Sequence, residues 1–263
     1  MNDAAPLRLE SAAPRRRPRP LRQALAWCVH FYTALGLVAA AGITLLIVRG
    51  GPESFRWAFV LMLVATLIDA TDGTFARAVR VKEVLPGFDG RRLDDLIDFL
   101  TYTCLPLFLA WRAEILPPGQ EGWLLVPLLA SAYGFCQVAA KTDDGFFLGF
   151  PSYWNLVAFY LYVLRPPSWL ALAIVLTLAV LTFVPLRYLY PTSQPGRLNR
   201  LTNLLGAVWA VLLAAVVWRL PGNHAPEAPD WLAVLSLFFP VYYMGLSWAV
   251  SWKVWRARHG RKR

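Results

Sequence analysis

The sequence predicts an all-α, polytopic membrane protein with about eight transmembrane helices. Of its 263 residues, 57% are hydrophobic and only 16% are charged, whereas an ordinary soluble domain is about 45–50% apolar and about 25% charged. The apolar residues are gathered into runs that are long enough to cross a hydrocarbon layer. The basic residues lie between and beyond these runs, which is typical of the ends of membrane helices.

The first apolar run, from Ala24 to Val48, follows a tail of residues 1–22 that is rich in proline and arginine. This composition is typical of a disordered basic segment. The run is too long for the hydrophobic region of a signal peptide, so we expect it to be retained as the first membrane helix. Seven further spans are predicted at residues 57–78, 93–111, 122–140, 151–164, 168–187, 201–219 and 231–252.

The spans form one expected transmembrane domain, residues 23–253, followed by a second basic tail, residues 254–263. Gly and Pro mark the short links between the spans, and no soluble domain fits between them. The sequence has no evident internal repeat, which disfavours a transporter that is built from inverted repeats.

The distribution of Lys and Arg predicts the orientation in the membrane. If both termini are cytoplasmic, 21 of the 26 basic residues fall in inside segments, and only five fall outside: Arg49, Arg56, Arg112, Arg165 and Arg219. Since cytoplasmic loops carry the excess of basic residues, we expect an even number of spans with both ends inside. The net charge of +10 then favours contact with lipid headgroups, and nucleic acid is not expected as a partner.

Two pairs of aspartates border apolar sequence. Asp69 and Asp72 are three residues apart, about 300° around a helix, so they face nearly the same way. Asp94 and Asp98 are four residues apart and offset by about 40°, while Asp95 points about 100° away. We therefore expect two carboxylate pairs on adjacent helices near the cytoplasmic surface.

Four carboxylates at one place repel one another, so a positive group must lie among them. Arg77 is one candidate, and a hard divalent cation with oxygen ligands, Mg²⁺ or Mn²⁺, is a better one. The three cysteines and three histidines are scattered, so a zinc site is not expected. Because magnesium is commonly shared between carboxylates and phosphates, the pattern indicates transfer of a phosphorus-containing group. The alternative is that the acids are solvated and pair with Arg77, Arg80, Arg91 and Arg92.

The two pairs belong to a longer pattern that resembles the motif of the CDP-alcohol phosphotransferase family. It reads Asp69-x-x-Asp72-Gly73-x-x-Ala76-Arg77, then Gly90-x-x-x-Asp94-x-x-x-Asp98. The twelve residues between Arg77 and Gly90 form a longer link than most of the family has. This link, together with residues 27–30 and 149–155, is similar to the bacterial phosphatidylcholine synthase branch, so the resemblance covers most of the chain.

The resemblance implies a reaction in which CDP-diacylglycerol and choline give phosphatidylcholine and CMP. It further implies a six-helix core within the eight spans, an active site at the cytoplasmic face of a bacterial inner membrane, and a homodimer. One or two Mn²⁺ or Mg²⁺ ions would be held by Asp69, Asp72, Asp94 and Asp98, and Asp98 would also be the general base. The CDP group would contact Asp69, Gly73, Ala76 and Arg77.

Other polar and aromatic residues are candidates for the substrate site. Thr33 is expected near the CDP, although a satisfied buried polar pair with His30 is an equal alternative. The quaternary ammonium of choline favours aromatic faces, for which the candidates are Tyr102, Tyr153, Tyr133 and Trp154; the alternative is an ordinary interfacial belt. Lys141 is a candidate for a lipid phosphate, or else an orientation charge or a partner for a nearby aspartate.

Three other functions stay open at this point. Serine as the acceptor would keep the chemistry and change only the product, whereas anionic acceptors need a cationic pocket that the later spans lack. A metal transporter lined by aspartates is a second alternative, since intramembrane acids often mark ion paths. A scaffold without catalytic activity is a third.

Overall fold

The structure is a computed structural model that describes residues 20–137, 146–189, 197–224, 226 and 230–260. Lys141 and the outer parts of both predicted tails, residues 1–19 and 261–263, lie outside the described residues. The elements are α1 Pro20–Arg49, α2 Pro52–Val79, α3 Val81–Val84, α4 Gly90–Asp98, α5 Leu105–Arg112, α6 Leu125–Cys136, β1 Phe146–Leu148, α7 Trp154–Leu164, α8 Ser168–Leu181, β2 Arg187–Leu189, α9 Arg197–Arg219, α10 Trp231–Ser236 and α11 Phe238–Gly260. A π-helical turn, Phe99–Cys104, joins α4 to α5, and a 3-10 turn, Glu121–Leu124, precedes α6.

Long apolar helices confirm the prediction of a polytopic membrane protein. Among the described residues, four helical segments are long and apolar enough to cross a membrane: Pro20–Arg49, Pro52–Val79, Asn199–Arg219 and Trp231–Arg256. Shorter apolar helices accompany them at Glu121–Cys136, Trp154–Leu164 and Ser168–Leu181. Large apolar side chains also point outward, since Phe31 is 70% and Leu45 is 72% exposed. Such an apolar exterior suits lipid rather than water.

The third predicted span is continuous but irregular. Its first part, α4, begins after Asp89, whose carboxylate accepts hydrogen bonds from the backbone N–H groups of Arg91 and Arg92. The π turn then leads directly into α5. Pro106 accounts for this wider turn, because a proline lacks an N–H and its ring would clash in an α-helix with the carbonyl of Tyr102, four residues earlier.

The predicted end of the sixth span is wrong. We predicted a helix to residue 187, but α8 ends at Leu181, and residues 187–189 form β2. Pro185 lies in this interval and cannot donate the hydrogen bond that a continuing helix needs. β2 pairs antiparallel with β1 over three residues, a short ladder beside an otherwise all-α fold in the described part of the chain, so the predicted fold class is confirmed.

The outer edge of β2 is covered by side chains of α11. The backbone N–H of Arg187 donates to Oγ of Ser251 at 2.7 Å, and that of Leu189 donates to Oγ of Ser247 at 3.3 Å. The Tyr243 hydroxyl donates to the Leu189 carbonyl at 2.9 Å. The last long helix therefore satisfies backbone groups that would otherwise be unpaired at a sheet edge.

The eighth predicted span, residues 231–252, is found as the helical segment Trp231–Arg256, with one interruption at Leu237. α10 ends at Ser236 and α11 begins at Phe238. Pro240 explains the interruption, because it cannot donate to the Ser236 carbonyl four residues earlier. α11 then continues to Gly260, so helical structure extends into the predicted basic tail.

α1 is the element against which the aspartate-bearing helices pack. It contacts α2 along its length and also contacts α4. At Gly36 the approach of α4 is especially close: an added Cβ would lie 2.6 Å from Cγ2 of Ile97. Ile97 lies between Asp94 and Asp98 in the sequence and is buried. The absence of a side chain at Gly36 thus sets how near α4 can come to α1.

We expect Gly36→Ala to destabilise the protein by about 1–3 kcal/mol, since the branched Ile97 side chain cannot move aside without shifting α4. Gly245→Ala is the matched control, because nothing lies within 4 Å of a Cβ at that position of α11. Thermal unfolding of both purified variants in detergent provides the measurement. Equal midpoints for the two variants would contradict this account of α1–α4 packing.

Candidate functional site

Three carboxylates converge where α2 meets α4. One oxygen each from Asp69, Asp94 and Asp98 lies within 4.8 Å of the other two, and all three residues are half-buried. α2 supplies the first residue, and the one-turn spacing on α4 supplies the other two. The predicted convergence is thereby found for three of the four aspartates.

This group has the chemistry of a site for a hard metal ion. Like charges at this separation repel, and partial burial weakens the screening that water would give. Three carboxylate oxygens match the ligands that Mg²⁺ and Mn²⁺ prefer. Two of the arginines that were considered as partners pair elsewhere, Arg80 with Glu83 at 3.9 Å and Arg92 with Asp89 at 3.2 Å. The residues present therefore fit a divalent cation.

Asp72 is placed differently from the other three. It is only 6% exposed, and its Oδ2 accepts a hydrogen bond from the Thr33 hydroxyl at 2.7 Å. It is not one of the three carboxylates that lie within 4.8 Å of one another. Thr33, which we expected near the CDP, thus acts in this structure as a hydrogen-bond donor from α1 to a buried carboxylate on α2.

The remaining motif residues on α2 differ in their surroundings. An added Cβ at Gly73 would meet only Nη1 of Arg77 within 4 Å, at 3.3 Å, so this face of α2 is open. The Arg77 side chain is exposed and donates to the Thr74 hydroxyl at 3.0 Å. Ala76 packs against a small apolar cluster that includes Val81. An open glycine beside an exposed arginine leaves room for a ligand to approach the backbone.

The long link before α4 packs on α1. Phe88 packs against the imidazole of His30 with ring centroids 4.4 Å apart and the ring planes tilted by 52°, and the ring of Trp27 lies 5.3 Å from that of Phe88. A Cβ at Gly90 would collide with the His30 ring. Gly90 therefore allows α4 to begin directly against α1. The link that precedes it places the Phe88 ring against the same part of α1.

The aromatic candidates for choline lie in different environments. Tyr102 is 9% exposed, and its hydroxyl donates to Oδ2 of Asp69 at 2.7 Å. Trp154 is fully buried, and its indole N–H donates to Oγ of Ser131 at 2.7 Å. Tyr133 is 47% exposed on α6 and contacts Phe183. Of these three residues, Tyr102 contacts the carboxylate group directly.

The fourth candidate, Tyr153, lies at the start of α7 with its ring 6.3 Å from that of Tyr243. The neighbouring Asn155 donates a hydrogen bond at 3.3 Å to the hydroxyl of Thr66, which lies one turn before Asp69 on α2. Sequence reasoning missed Asn155 and Thr66. A polar residue within each apolar stretch was the available signal, but it did not identify a partner. This contact brings the start of α7 near the carboxylate group.

Comparison with known proteins identifies the family. A model of the CDP-alcohol phosphatidyltransferase family matches residues 28–145. A phosphatidylcholine synthase of Pseudomonas aeruginosa is 36% identical over 220 residues, which cover 83% of this chain and 91% of the relative. The chain belongs to the CDP-alcohol phosphatidyltransferase family. The resemblance that the motif predicted is thereby confirmed.

Further relatives of this phosphatidyltransferase share the same name. A phosphatidylcholine synthase of Legionella pneumophila is 39% identical over 229 residues, which cover 84% of this chain and 87% of the relative. A phosphatidylcholine synthase of Bradyrhizobium diazoefficiens is 41% identical over 198 residues, which cover 74% of this chain and 72% of the relative. The three carboxylates, Asp72 and the open face at Gly73 all lie inside the part of the chain that the family model matches.

Proposed function

We propose that this phosphatidyltransferase transfers the phosphatidyl group of CDP-diacylglycerol to choline, giving phosphatidylcholine and CMP. The observation that carries the proposal is the group formed by Asp69, Asp94 and Asp98 on the family motif. Similarity to phosphatidylcholine synthases over most of the chain supports choline as the acceptor. Membership of the family argues against a transporter or a scaffold.

Asp69, Asp94 and Asp98 are the proposed ligands of one or two Mn²⁺ or Mg²⁺ ions, and Asp72 is proposed to complete the set. When bound, the metal would neutralise charge on the CDP diphosphate and on the departing CMP. The Thr33 hydrogen bond holds Asp72 in its buried position on α2, one turn after Asp69.

Asp98 is the proposed general base. It would accept the proton of the choline hydroxyl as that oxygen attacks the lipid-side phosphorus, while the bond from this phosphorus to the CMP oxygen breaks. A half-buried carboxylate one turn from the proposed ligand Asp94 is suited to this task, because one of its oxygens lies within 4.8 Å of the other two carboxylates of the group. Asp69, Gly73, Ala76 and Arg77 are the proposed CDP contacts, with Thr33 close by; the open face at Gly73 supports this placement.

The proposed topology has eight spans around a six-helix core, with both termini and the active site at the cytoplasmic face of a bacterial inner membrane. The continuous helix from α4 to α5 and the divided helix from α10 to α11 each serve as one span in this scheme. Residues 23–253 form the proposed catalytic domain between two basic tails. The homodimer stays a prediction, and so does the contact of Lys141 with a lipid phosphate.

Choline is proposed to bind beside the carboxylate group, where its hydroxyl can reach Asp98. The ring of Tyr102 borders the group, and the start of α7 brings Tyr153 toward it. Tyr133, on the exposed surface of α6, is a more distant candidate. Trp154 is less suited to direct contact, since it is fully buried and packs on Phe150.

The purified protein, supplied with CDP-diacylglycerol and Mn²⁺ or Mg²⁺, is expected to release CMP when choline is offered. Serine, glycerol phosphate and inositol, offered in turn, are expected to give no product, because none of them carries the quaternary ammonium that aromatic faces bind. Separation of the lipid products by mass spectrometry makes the measurement. Phosphatidylserine formation without phosphatidylcholine would overturn the proposed acceptor.

Asp98→Asn is expected to lower kcat by about 10²–10⁴-fold, since an amide cannot accept the choline proton. Asp95→Asn is the matched control: it removes one charge from the same turn of α4, from a residue outside the carboxylate group. CMP release by both variants at saturating substrates is the assay. Equal losses would indicate a general effect of charge on α4 rather than a base at Asp98.

Tyr153→Ala is expected to raise the KM for choline about tenfold and to leave the KM for CDP-diacylglycerol nearly unchanged, because a desolvated ammonium loses one aromatic face. Tyr242→Ala serves as the control, since this half-buried tyrosine of α11 bonds to Thr202 of α9. Steady-state kinetics with each substrate varied in turn separate the two effects. An equal rise in both KM values would contradict the proposed contact of Tyr153 with choline.

A further inference from the structure

We infer that Tyr102 is a positioning residue, whose hydroxyl orients the Asp69 carboxylate within the group of three. The hydroxyl donates to Oδ2 of Asp69 at 2.7 Å. This contact joins two elements that are 33 residues apart in the sequence. The inference rests on the proposed function, because it assigns the hydrogen bond to the site at which metal would bind.

The π turn accounts for the place of Tyr102. Residues 99–104 form a wider turn directly after Asp98, and Tyr102 lies in its middle. In either an α- or a π-helix, a residue four positions after Asp98 lies on nearly the same face. The Tyr102 hydroxyl therefore extends from the face that carries Asp94 and Asp98 toward the carboxylate of the opposite helix.

A hydrogen bond of this kind restricts the freedom of the carboxylate. A donor on one oxygen of Asp69 fixes the plane of the carboxylate, and with it the direction of the other oxygen. Such donors behind metal ligands orient them and are needed for full metal affinity. The phenol is 9% exposed, so water competes little for this bond.

Side chains on α2 and α7 support the phenol. The Tyr102 hydroxyl also interacts with the Thr66 side chain, and Asn155 donates to the Thr66 hydroxyl at 3.3 Å. The Thr66 hydroxyl in turn donates to the Met62 carbonyl of its own helix at 2.9 Å. The start of α7 is thus connected through two hydroxyls to Asp69.

The hydroxyl and the ring of Tyr102 have separable roles. The ring is a candidate for contact with choline, whereas only the hydroxyl can position Asp69. Tyr102→Phe removes the hydroxyl and keeps the ring, so it tests the positioning role alone. Tyr160→Phe is the matched control, because Tyr160 is also 9% exposed and its hydroxyl bonds to Ser236 and Trp209 in the core between α7, α9 and α10.

The experiment measures Mn²⁺ affinity of the full-length purified protein by electron paramagnetic resonance of the unbound ion, without substrates. Tyr102→Phe is expected to weaken Mn²⁺ binding about 10- to 100-fold, and Tyr160→Phe is expected to leave it unchanged. Thermal unfolding without metal checks that both variants fold. If Tyr102→Phe does not fold, Thr66→Val is measured instead and is expected to weaken Mn²⁺ binding as well.

The outcomes distinguish this inference from the proposed function. Phosphatidylcholine formation by the wild-type protein, with wild-type Mn²⁺ affinity in Tyr102→Phe, would overturn the positioning role and leave the reaction intact. An equal loss of affinity in Tyr160→Phe would also overturn it, since the effect would then be a general loosening of the bundle. A wild-type protein that neither binds Mn²⁺ nor forms the lipid would overturn both.

Discussion

Mutual repulsion between carboxylates at the edge of an apolar bundle is the constraint on which the site depends. Asp69, Asp94 and Asp98 cannot be brought within 4.8 Å of one another unless the backbone holds them there. The packing of α1 against both α2 and α4 provides that restraint. At Gly36 and Gly90 the approach is so close that a methyl group would meet Ile97 or His30. Helix packing therefore holds the three carboxylates close together although their charges repel, and a bound cation would offset that repulsion.

Neutral hydroxyls donate hydrogen bonds to two of the four acids. Thr33 donates to Asp72 and Tyr102 donates to Asp69, each at 2.7 Å. Hydroxyl donors stabilise a carboxylate without neutralising it. A paired arginine at these positions would compete with a divalent cation for the same charge. These two donors therefore orient Asp72 and Asp69 without adding a positive charge beside them.

Much of the fold and part of the site could be predicted from the sequence. The long apolar runs predicted the membrane helices, and the three- and four-residue spacings predicted that Asp69, Asp94 and Asp98 converge. The end of α8 and the break before α11 were missed, because an apolar run does not reveal where a proline interrupts hydrogen bonding. The link from Tyr102 to Asp69 depends on a π turn and on helix packing, and neither leaves a periodic signal in the sequence. The tight contact of Gly90 with His30 likewise joins residues that only the folded chain brings together.

The hydroxyls of α11 allow extended backbone to exist inside a membrane protein. A two-stranded ladder leaves unpaired amides along its outer side, and in a nonpolar medium these would be costly. The missing partners are side chains of α11, namely Ser247, Ser251 and Tyr243. These side chains form the hydrogen bonds to β2 that the backbone of a third strand would otherwise form. The connection between α8 and α9 is thus tied to a segment near the far end of the chain. The last helix is therefore a structural part of the fold, and its loss would leave these backbone groups of β2 without their partners.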